Sequence, residues 1–458
     1  MAAYAFSREP KVVPTVRTPH RRIQTAIPTP GTKEVLERLN ATESRSMHGQ
    51  LPIVWDRADD FSVFDAGGNQ WIDFTSTIFV ANVGHSNARV SAAIRATLDR
   101  PLYSCYAYAN AIRADYLDKL IAWAGPPFEK AFLLSAGTEA TEAALKLLRM
   151  NGQKRGKRRR GIICIEGNWH GRTLGAQMMS SNLSQRDWIG YQDADIHHIP
   201  FPYPWALKGT TPEEFLSAGL KRLTDKGLDL TQDVCGFMLE TLQGWGAVFY
   251  PPAFVQAIER LCRANGILLA FDEMQAGFGR TGRKFGFEHY GVTPDLIACG
   301  KGMGGGVSLS GVLGRADIMD LPDVGNMSST HSANPLVCAA GLAVIEELES
   351  RDLVQETARK GDLMFTALRA LQGRMPTRIG NVLGQGLIAA VLFTDPATGA
   401  ADGPFTSRVA ERCMQKGLLV VHTGRESIKI GPPLTITDAA LLEGVAVLEE
   451  SILEVTAE

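Results

Sequence analysis

From about residue 85 to 340 the chain alternates between two patterns. Short, continuously apolar runs ("AFLLS", "GIICIEG", "CGFMLE", "GILLAFDE", "DLIACG", "GVLG") are separated by stretches with apolar residues at helical spacing, such as "GTEATEAALKLLRM" and "PPAFVQAIERLCRANG". A strand that is apolar on both faces is buried on both faces, so the pattern predicts a mostly parallel α/β sheet with helices on each side. On the N-terminal side, "TKEVLERLNATES" has helical spacing and "FSVFDAGGNQWIDF" predicts a hairpin closed by a Gly-Gly turn. Beyond 340 a long helix ("PLVCAAGLAVIEELES") leads into strand-like "NVLGQGLIAAVLF" and "GLLVVHTGRESIKIGPPL", and a last helix, "TDAALLEGVAVLEESILE". The expected organisation is an extended arm over 1–30, mobile or laid on another surface, and the first part of a small domain over 31–84. A large domain follows over 85–340, and the remainder of the small α+β domain over 341–458. There is no internal repeat.

The 458 residues fit two domains. Hydrophobic residues at 45%, charged residues at 21% and a net charge of -2 are ordinary for a globular protein, and give no field that would draw the chain to nucleic acid or membrane. The seven cysteines are odd in number and none forms a CxxC pair. No metal site or disulfide framework is expected, and a reducing, cytoplasmic setting is. The N-terminus lacks a signal-peptide core, and no apolar run approaches the roughly 20 residues that cross a bilayer.

Three predicted strand ends carry chemistry. "PDLIACGKGMGGG" delivers Lys301 from an apolar run into a glycine-rich turn, where it gains little as a solubilising charge. "LLAFDEMQAGFGR" ends at Asp272, with Gln275 just beyond. "AFLLSAGTEATEAA" turns at Gly137-Thr138 directly into a helix. Such a helix start offers free N–H groups and partial positive charge to a phosphate, although an ordinary capped helix begins in the same way. Function in open parallel sheets gathers at the carboxyl ends of strands. A lysine nucleophile, a strand-end acid and a phosphate-binding helix start are together what pyridoxal 5'-phosphate requires: a Schiff base, a partner for the ring nitrogen and an anion site.

"SAGTEATEAALKLLR", "NWHGRTLGA", "LETLQGWGAV", "FDEMQAGFGRTG", "PDLIACGKGMGGG" and "SSTHSANPLVCAAG" resemble, in order and spacing, the class III pyridoxal-phosphate aminotransferases, including the 4-aminobutyrate and ornithine enzymes. The resemblance covers about residues 50 to 450. It implies a fold type I transferase with a large, mostly parallel domain and a smaller α+β domain, working as a homodimer with shared active sites. It gives Lys301 the Schiff base and the proton shift, Asp272 the pyridine nitrogen, and Gln275 a place near the ring hydroxyl. Gly137 and Thr138 take the phosphate, Thr330 reaches the phosphate across the dimer interface, and Trp169 stacks on the ring where the family has Phe or Tyr. Glu240 opens a segment matching the family's acidic one, in a supporting role.

The departures concern the substrate. The family's usual arginine for the carboxylate on the reacting carbon is replaced by Lys429, in "SIKIGPPL". The glutamate that parks that arginine in several relatives is replaced by Trp245. Lysine keeps the charge and loses the fork that matches a carboxylate. Arg172, in "HGRTLG", matches the ligand of the distal carboxylate of 2-oxoglutarate or 4-aminobutyrate. Ile78 matches an apolar residue of the 4-aminobutyrate enzymes. Together these lean toward a terminal amine or another non-standard donor, with a keto acid or aldehyde as acceptor. Arg425 is a candidate substitute ligand, and Trp245 fits core or substrate wall equally. An epimerase, aminomutase or decarboxylase on the same scaffold is the alternative reaction. His170, His197, His198 and His331 have no metal-ligand spacing, and core or surface roles are expected for them. "KRGKRRR" (154–160) is expected to be a solvated loop.

Overall fold

The computed structural model describes residues 4–458. The chain divides into two compact units, one made of the residues up to Asn87 with Trp245–Ala247 and Gln355–Glu458, the other of Ala88–Gly244 with Val248–Val354.

The second unit is built on a seven-stranded sheet. In spatial order its strands are Lys130–Leu134, Ser310–Gly314, Leu296–Cys299, Leu268–Asp272, Val234–Glu240, Gly161–Ile165 and Ile196–Ile199. Ser310–Gly314 runs antiparallel to both neighbours and every other adjacent pair is parallel. All six apolar runs of the sequence are strands of this sheet. The seventh, "IHHI", lies at the edge and is only partly buried, so it never shows as a continuous apolar run.

Helix Gly137–Lys154 buries its apolar stripe on this sheet, over a core that includes Leu145, Leu148, Ile162, Met238, Ala270 and Val312. Close approach needs Gly152, where a Cβ would run into the Cys235 side chain. Helix Pro252–Asn265 starts with proline at its first turn, ends at the left-handed Gly266 (φ 60), and buries Phe254, Val255, Ile258 and Cys262, a stripe at helical spacing. Helix Pro335–Ser350, expected at the head of the small domain, packs instead on helices Ala88–Leu98 and Ala111–Ala124 of this unit. Its surface is apolar nearly all round, which suits a helix with neighbours on more than one side.

The first unit holds a six-stranded and a four-stranded sheet. In the first, Val16–Arg17, Arg22–Ile23, Gln70–Asp73, Ser62–Phe64 and Arg57–Asp59 are neighbours in that order, and Leu418–Leu419 joins Gln70–Asp73 in parallel. The N-terminal arm is therefore part of a sheet, with Ile23 and Ile27 fully buried against Trp71 and Met414. In the second, Ile379–Gln385, Ile388–Phe393, Ser427–Ile430 and Val421–His422 are all antiparallel. Helix Gly403–Gln415 packs on the final helix, Asp438–Ala457.

The basic run is not a freely solvated loop. Arg158 pairs with Asp233 at 2.6 Å, Arg159 pairs with Asp195 at 2.6 Å, and the buried Lys157 donates to the carbonyls of Thr231 and Asn265. These bonds tie the strand entry at Gly161 to its neighbours. Among the described residues, no helix is long and apolar enough to cross a membrane, and no cluster of potential metal ligands occurs.

Candidate active site

Sheet register brings the three strand ends together. Asp272 pairs with Glu240 on one side and with Ala298 on the other, so three parallel strands finish in line. Lys301 follows three residues after Ala298. Leu134, just before the Gly137 helix start, pairs with Ser310 at the same edge.

Asp272 is buried. Its Oδ1 accepts from the Met274 N–H at 3.0 Å and its Oδ2 lies 3.0 Å from His170 Nδ1. A carboxylate has about four lone-pair sites, so capacity for a further donor remains. His170 was expected to be a core or surface residue. It is buried, and it also holds this acid in place. Its own backbone is fixed by Ser180 Oγ at 2.8 Å, and its carbonyl accepts from Thr141 at 2.7 Å. The contact spans 102 positions of sequence, which is why no local spacing reveals it.

Lys301 has left-handed backbone (φ 47) at the start of a short turn, Lys301–Gly304. Burial lowers its ammonium below the ordinary lysine range, and the charges of Asp272 and Glu240 oppose that shift. No carboxylate bonds its Nζ among the described residues. The neutral amine, which burial favours, is the nucleophilic form of a lysine.

Gly137 and Thr138 are the first two residues of their helix, and their N–H groups find no acceptor among the described residues. Ahead of them, Glu139 Oε2 accepts from the N–H groups of Ser135 and Ala136 at 2.9 and 3.0 Å. The Thr138 hydroxyl is engaged with Thr173 Oγ1 at 2.6 Å. A Cβ on Gly137 or on Gly300 would approach the Met274 sulfur to 2.9 or 2.7 Å, so a larger residue at either position would have to displace that side chain. Thr330 is exposed, and its segment returns to the helix start through Ser332, whose Oγ is 2.9 Å from Ser135 Oγ.

Glu240 is buried. It accepts from the Trp169 N–H at 2.9 Å and, more loosely, from Gln275 Nε2 at 3.5 Å. It therefore positions two of the expected cofactor-binding residues. Trp169 is 39% exposed, and the Arg172 guanidinium lies over its ring at 4.4 Å. Among the described residues Arg172 forms no ion pair, and the Trp169 ring is the contact of its guanidinium. These donors fit pyridoxal phosphate: a depressed lysine, a buried acid with spare acceptor capacity, unpaired helix-start N–H groups and an aromatic face.

The remaining candidates lie in the other unit. Ile78 belongs to a left-handed turn, Ser76–Phe79, with φ of 46, 51, 63 and 67 at four successive non-glycine residues. Phe79 is buried beneath it, and Lys429 Nζ stands 4.5 Å from the Phe79 ring centre. Lys429 itself is buried on strand Ser427–Ile430. Arg425 stacks on Trp245, its guanidinium carbon 3.9 Å from the ring centre.

The aminotransferase class-III family model matches residues 44–452. The chain is 31% identical over 427 residues to 4-aminobutyrate aminotransferase GabT of Escherichia coli (strain K12), covering 91% of this chain and 97% of that one. It is 32% identical to the 5-aminovalerate aminotransferase DavT of Pseudomonas aeruginosa, again covering 91% and 97%. Against the 2-aminoadipate transaminase of Pseudomonas putida the identity is 33%, covering 88% and 96%. Among solved structures, the ornithine aminotransferase from Toxoplasma gondii superposes with a TM-score of 0.81 at 26% identity, covering 93% of this chain and 96% of that one.

Proposed function

The chain belongs to the class-III aminotransferases, pyridoxal-phosphate enzymes of fold type I, and from that premise we propose that it moves an amino group from an ω-amino acid or related amine to a keto acid or aldehyde, with Lys301 as the catalytic lysine. The observation that carries the residue assignment is the gathering of Lys301, Asp272 and the Gly137 helix start at one edge of one sheet.

When bound, pyridoxal phosphate supplies the electron sink that makes the C–H bond beside the amine acidic. Lys301 would hold its aldehyde carbon until the donor's amine displaces it, and the freed Nζ would then be the group that takes up and returns the proton. Burial that lowers the amine's proton affinity favours the neutral form that attacks. Asp272 would keep a proton on the ring nitrogen, and the 3.0 Å contact with His170 Nδ1 would hold that carboxylate in place. The N–H groups of Gly137 and Thr138 would hold the phosphate. Trp169 offers a ring face, and Gln275 would lie by the ring hydroxyl. Thr330 would reach the phosphate of a partner subunit in a homodimer. Arg172 would receive a distal carboxylate, and the apolar residue types at Ile78 and Trp245 lean to terminal amines.

The test is a donor series with 2-oxoglutarate as acceptor, following glutamate formation. The reading expects turnover with 4-aminobutyrate or 5-aminovalerate and none from Lys301→Ala. Turnover by the Lys301→Ala protein would remove Lys301 from its role.

A further inference from the structure

His170 is one link of a longer hydrogen-bond chain that lies wholly within the unit of the large sheet. Its Nδ1 faces Asp272 Oδ2, and its Nε2 lies 3.2 Å from Asn168 Nδ2. Asn168 Oδ1 lies 2.8 Å from Gln243 Nε2, which also reaches the Glu166 carbonyl at 3.1 Å. The Tyr203 hydroxyl meets Gln243 Oε1 at 3.1 Å. Asn168, His170 and Gln243 are all buried. The far end of the chain sets the direction of every bond in it. A backbone carbonyl accepts and cannot donate, so Gln243 must turn its amide nitrogen toward Glu166. The same nitrogen then donates to Asn168 Oδ1, and Tyr203 donates to Gln243 Oε1. With its oxygen so engaged, Asn168 presents its NH2 to His170. Nε2 is therefore the accepting nitrogen, and the ring proton sits on Nδ1 and is donated to Asp272. The reverse arrangement would set Gln243 Oε1 against the Glu166 oxygen. Gly167 (φ 88) permits the close approach, since a Cβ there would lie 2.3 Å from Gln243 Oε1.

We propose that Asn168 and Gln243 are positioning residues that keep His170 Nε2 without a proton, so that His170 gives Asp272 an uncharged donor and leaves the carboxylate's full charge for the pyridine nitrogen of the cofactor. The inference rests on the reading of Asp272 as the partner of that nitrogen and adds two residues behind it. An imidazolium in the same place would form an ion pair with Asp272 and compete with the ring nitrogen for one carboxylate. A proton on Nε2 would also point at the Asn168 NH2, donor against donor. The titratable side chains nearby add no charge that would reverse this. Burial pushes the His198 imidazole down to about 4, and it pushes the Tyr250 hydroxyl, beside Asn168, well above its ordinary range. Asn168 and His170 lie two positions apart, but Gln243 comes to them from 75 positions away, so no local motif shows the chain.

Holoenzyme labelled with 15N in its histidine rings tests this, because a bare ring nitrogen and a protonated one resonate far apart. The spectrum of His170→Gln identifies the pair of signals that belongs to His170. In wild type at neutral pH, Nε2 should give the signal of a bare nitrogen and Nδ1 that of a protonated one. Asn168→Asp offers Nε2 an acceptor in place of a donor, so its signal should move to the protonated position. Gln243→Glu does not touch the imidazole, yet it cannot supply both protons that Gln243 gives. Asn168 should then turn its oxygen toward His170, and the Nε2 signal should move in the same direction. Both variants should lose the visible cofactor band on dilution about three- to tenfold faster than wild type. A protonated Nε2 in wild type, or a bare Nε2 in both variants, would overturn the proposal. So would faster cofactor loss with the Nε2 signal unmoved, which is the mark of a merely structural role. The expected signals with unchanged cofactor loss in both variants would count against Asp272 as the partner of the ring nitrogen and leave the hydrogen-bond chain standing.

Discussion

Lys301 combines a left-handed backbone with a buried amine, two costs that a lysine on a free surface does not carry. Each has a use: the backbone turns the chain at once from strand to site, and burial lowers the amine's proton affinity. The sign of the pH effect follows. A depressed lysine loses its proton at lower pH than an ordinary one, so capture of pyridoxal phosphate by the apoprotein should rise with a midpoint below about 10.4. Following the visible band after mixing at a series of pH values measures it, and a midpoint at or above the ordinary value would contradict the assignment. His170 gives a second residue-scale prediction. His170→Leu strands Asp272 without one of its two partners, so cofactor retention should fall about tenfold or more, seen as faster loss of the band on dilution. Unchanged retention would reduce the contact to packing. Lys301, Asp272 and Gly137 are legible in the sequence because each sits in a strand–turn segment whose meaning is local. The His170–Asp272 and Arg425–Trp245 contacts are not, because only sheet register and packing bring those partners together.

At the scale of elements, the turn Ser76–Phe79 is the most strained segment described. Left-handed backbone costs an L-residue about 1–2 kcal/mol, and here Thr77 and Ile78 are β-branched. What holds the turn is visible: Ser76 Oγ donates to the Gly431 carbonyl at 2.6 Å, and Phe79 packs where a Cβ on Gly431 would overlap its ring. Thr77 is exposed and contributes little packing. Thr77→Gly should therefore stabilise the protein by up to about 1 kcal/mol, after allowing for the greater freedom of glycine in the unfolded chain. Denaturant unfolding reads this directly, and a destabilised variant would show that the threonine hydroxyl outweighs the strain. The hydrophobic pattern predicted six strands of the large sheet and its main helices, because continuous burial writes itself as continuous apolar sequence. It missed the edge strand Ile196–Ile199, half-buried and carrying two histidines, and it gave no sign of the left-handed turn, whose residues have no local preference for that backbone.

At the scale of the whole molecule, the family and its cofactor chemistry follow from six ordered motifs, while the identity of the donor depends on a few substitutions within them. The segment around Leu102, Tyr103, Tyr106 and Tyr108 leaves large apolar and aromatic side chains exposed, 81% at Tyr108. Patches of that kind mark interaction surfaces, and their covering by a second copy agrees with the homodimer proposed above. Light scattering should give twice the 49.7 kDa chain mass, and Tyr103→Glu with Tyr108→Glu should shift it toward one chain and weaken activity with it. A single-chain mass for the active wild-type enzyme would remove the partner role of Thr330. The most direct test of the central claim is spectral. Holoenzyme is given 4-aminobutyrate alone while the visible cofactor band is recorded, and then 2-oxoglutarate. The account predicts that the band bleaches stoichiometrically with the first addition and returns with the second, the amino group having passed through the enzyme. A band unchanged by every amine and amino acid donor, or one that persists while carbon dioxide is released or the α-proton exchanges, would contradict it.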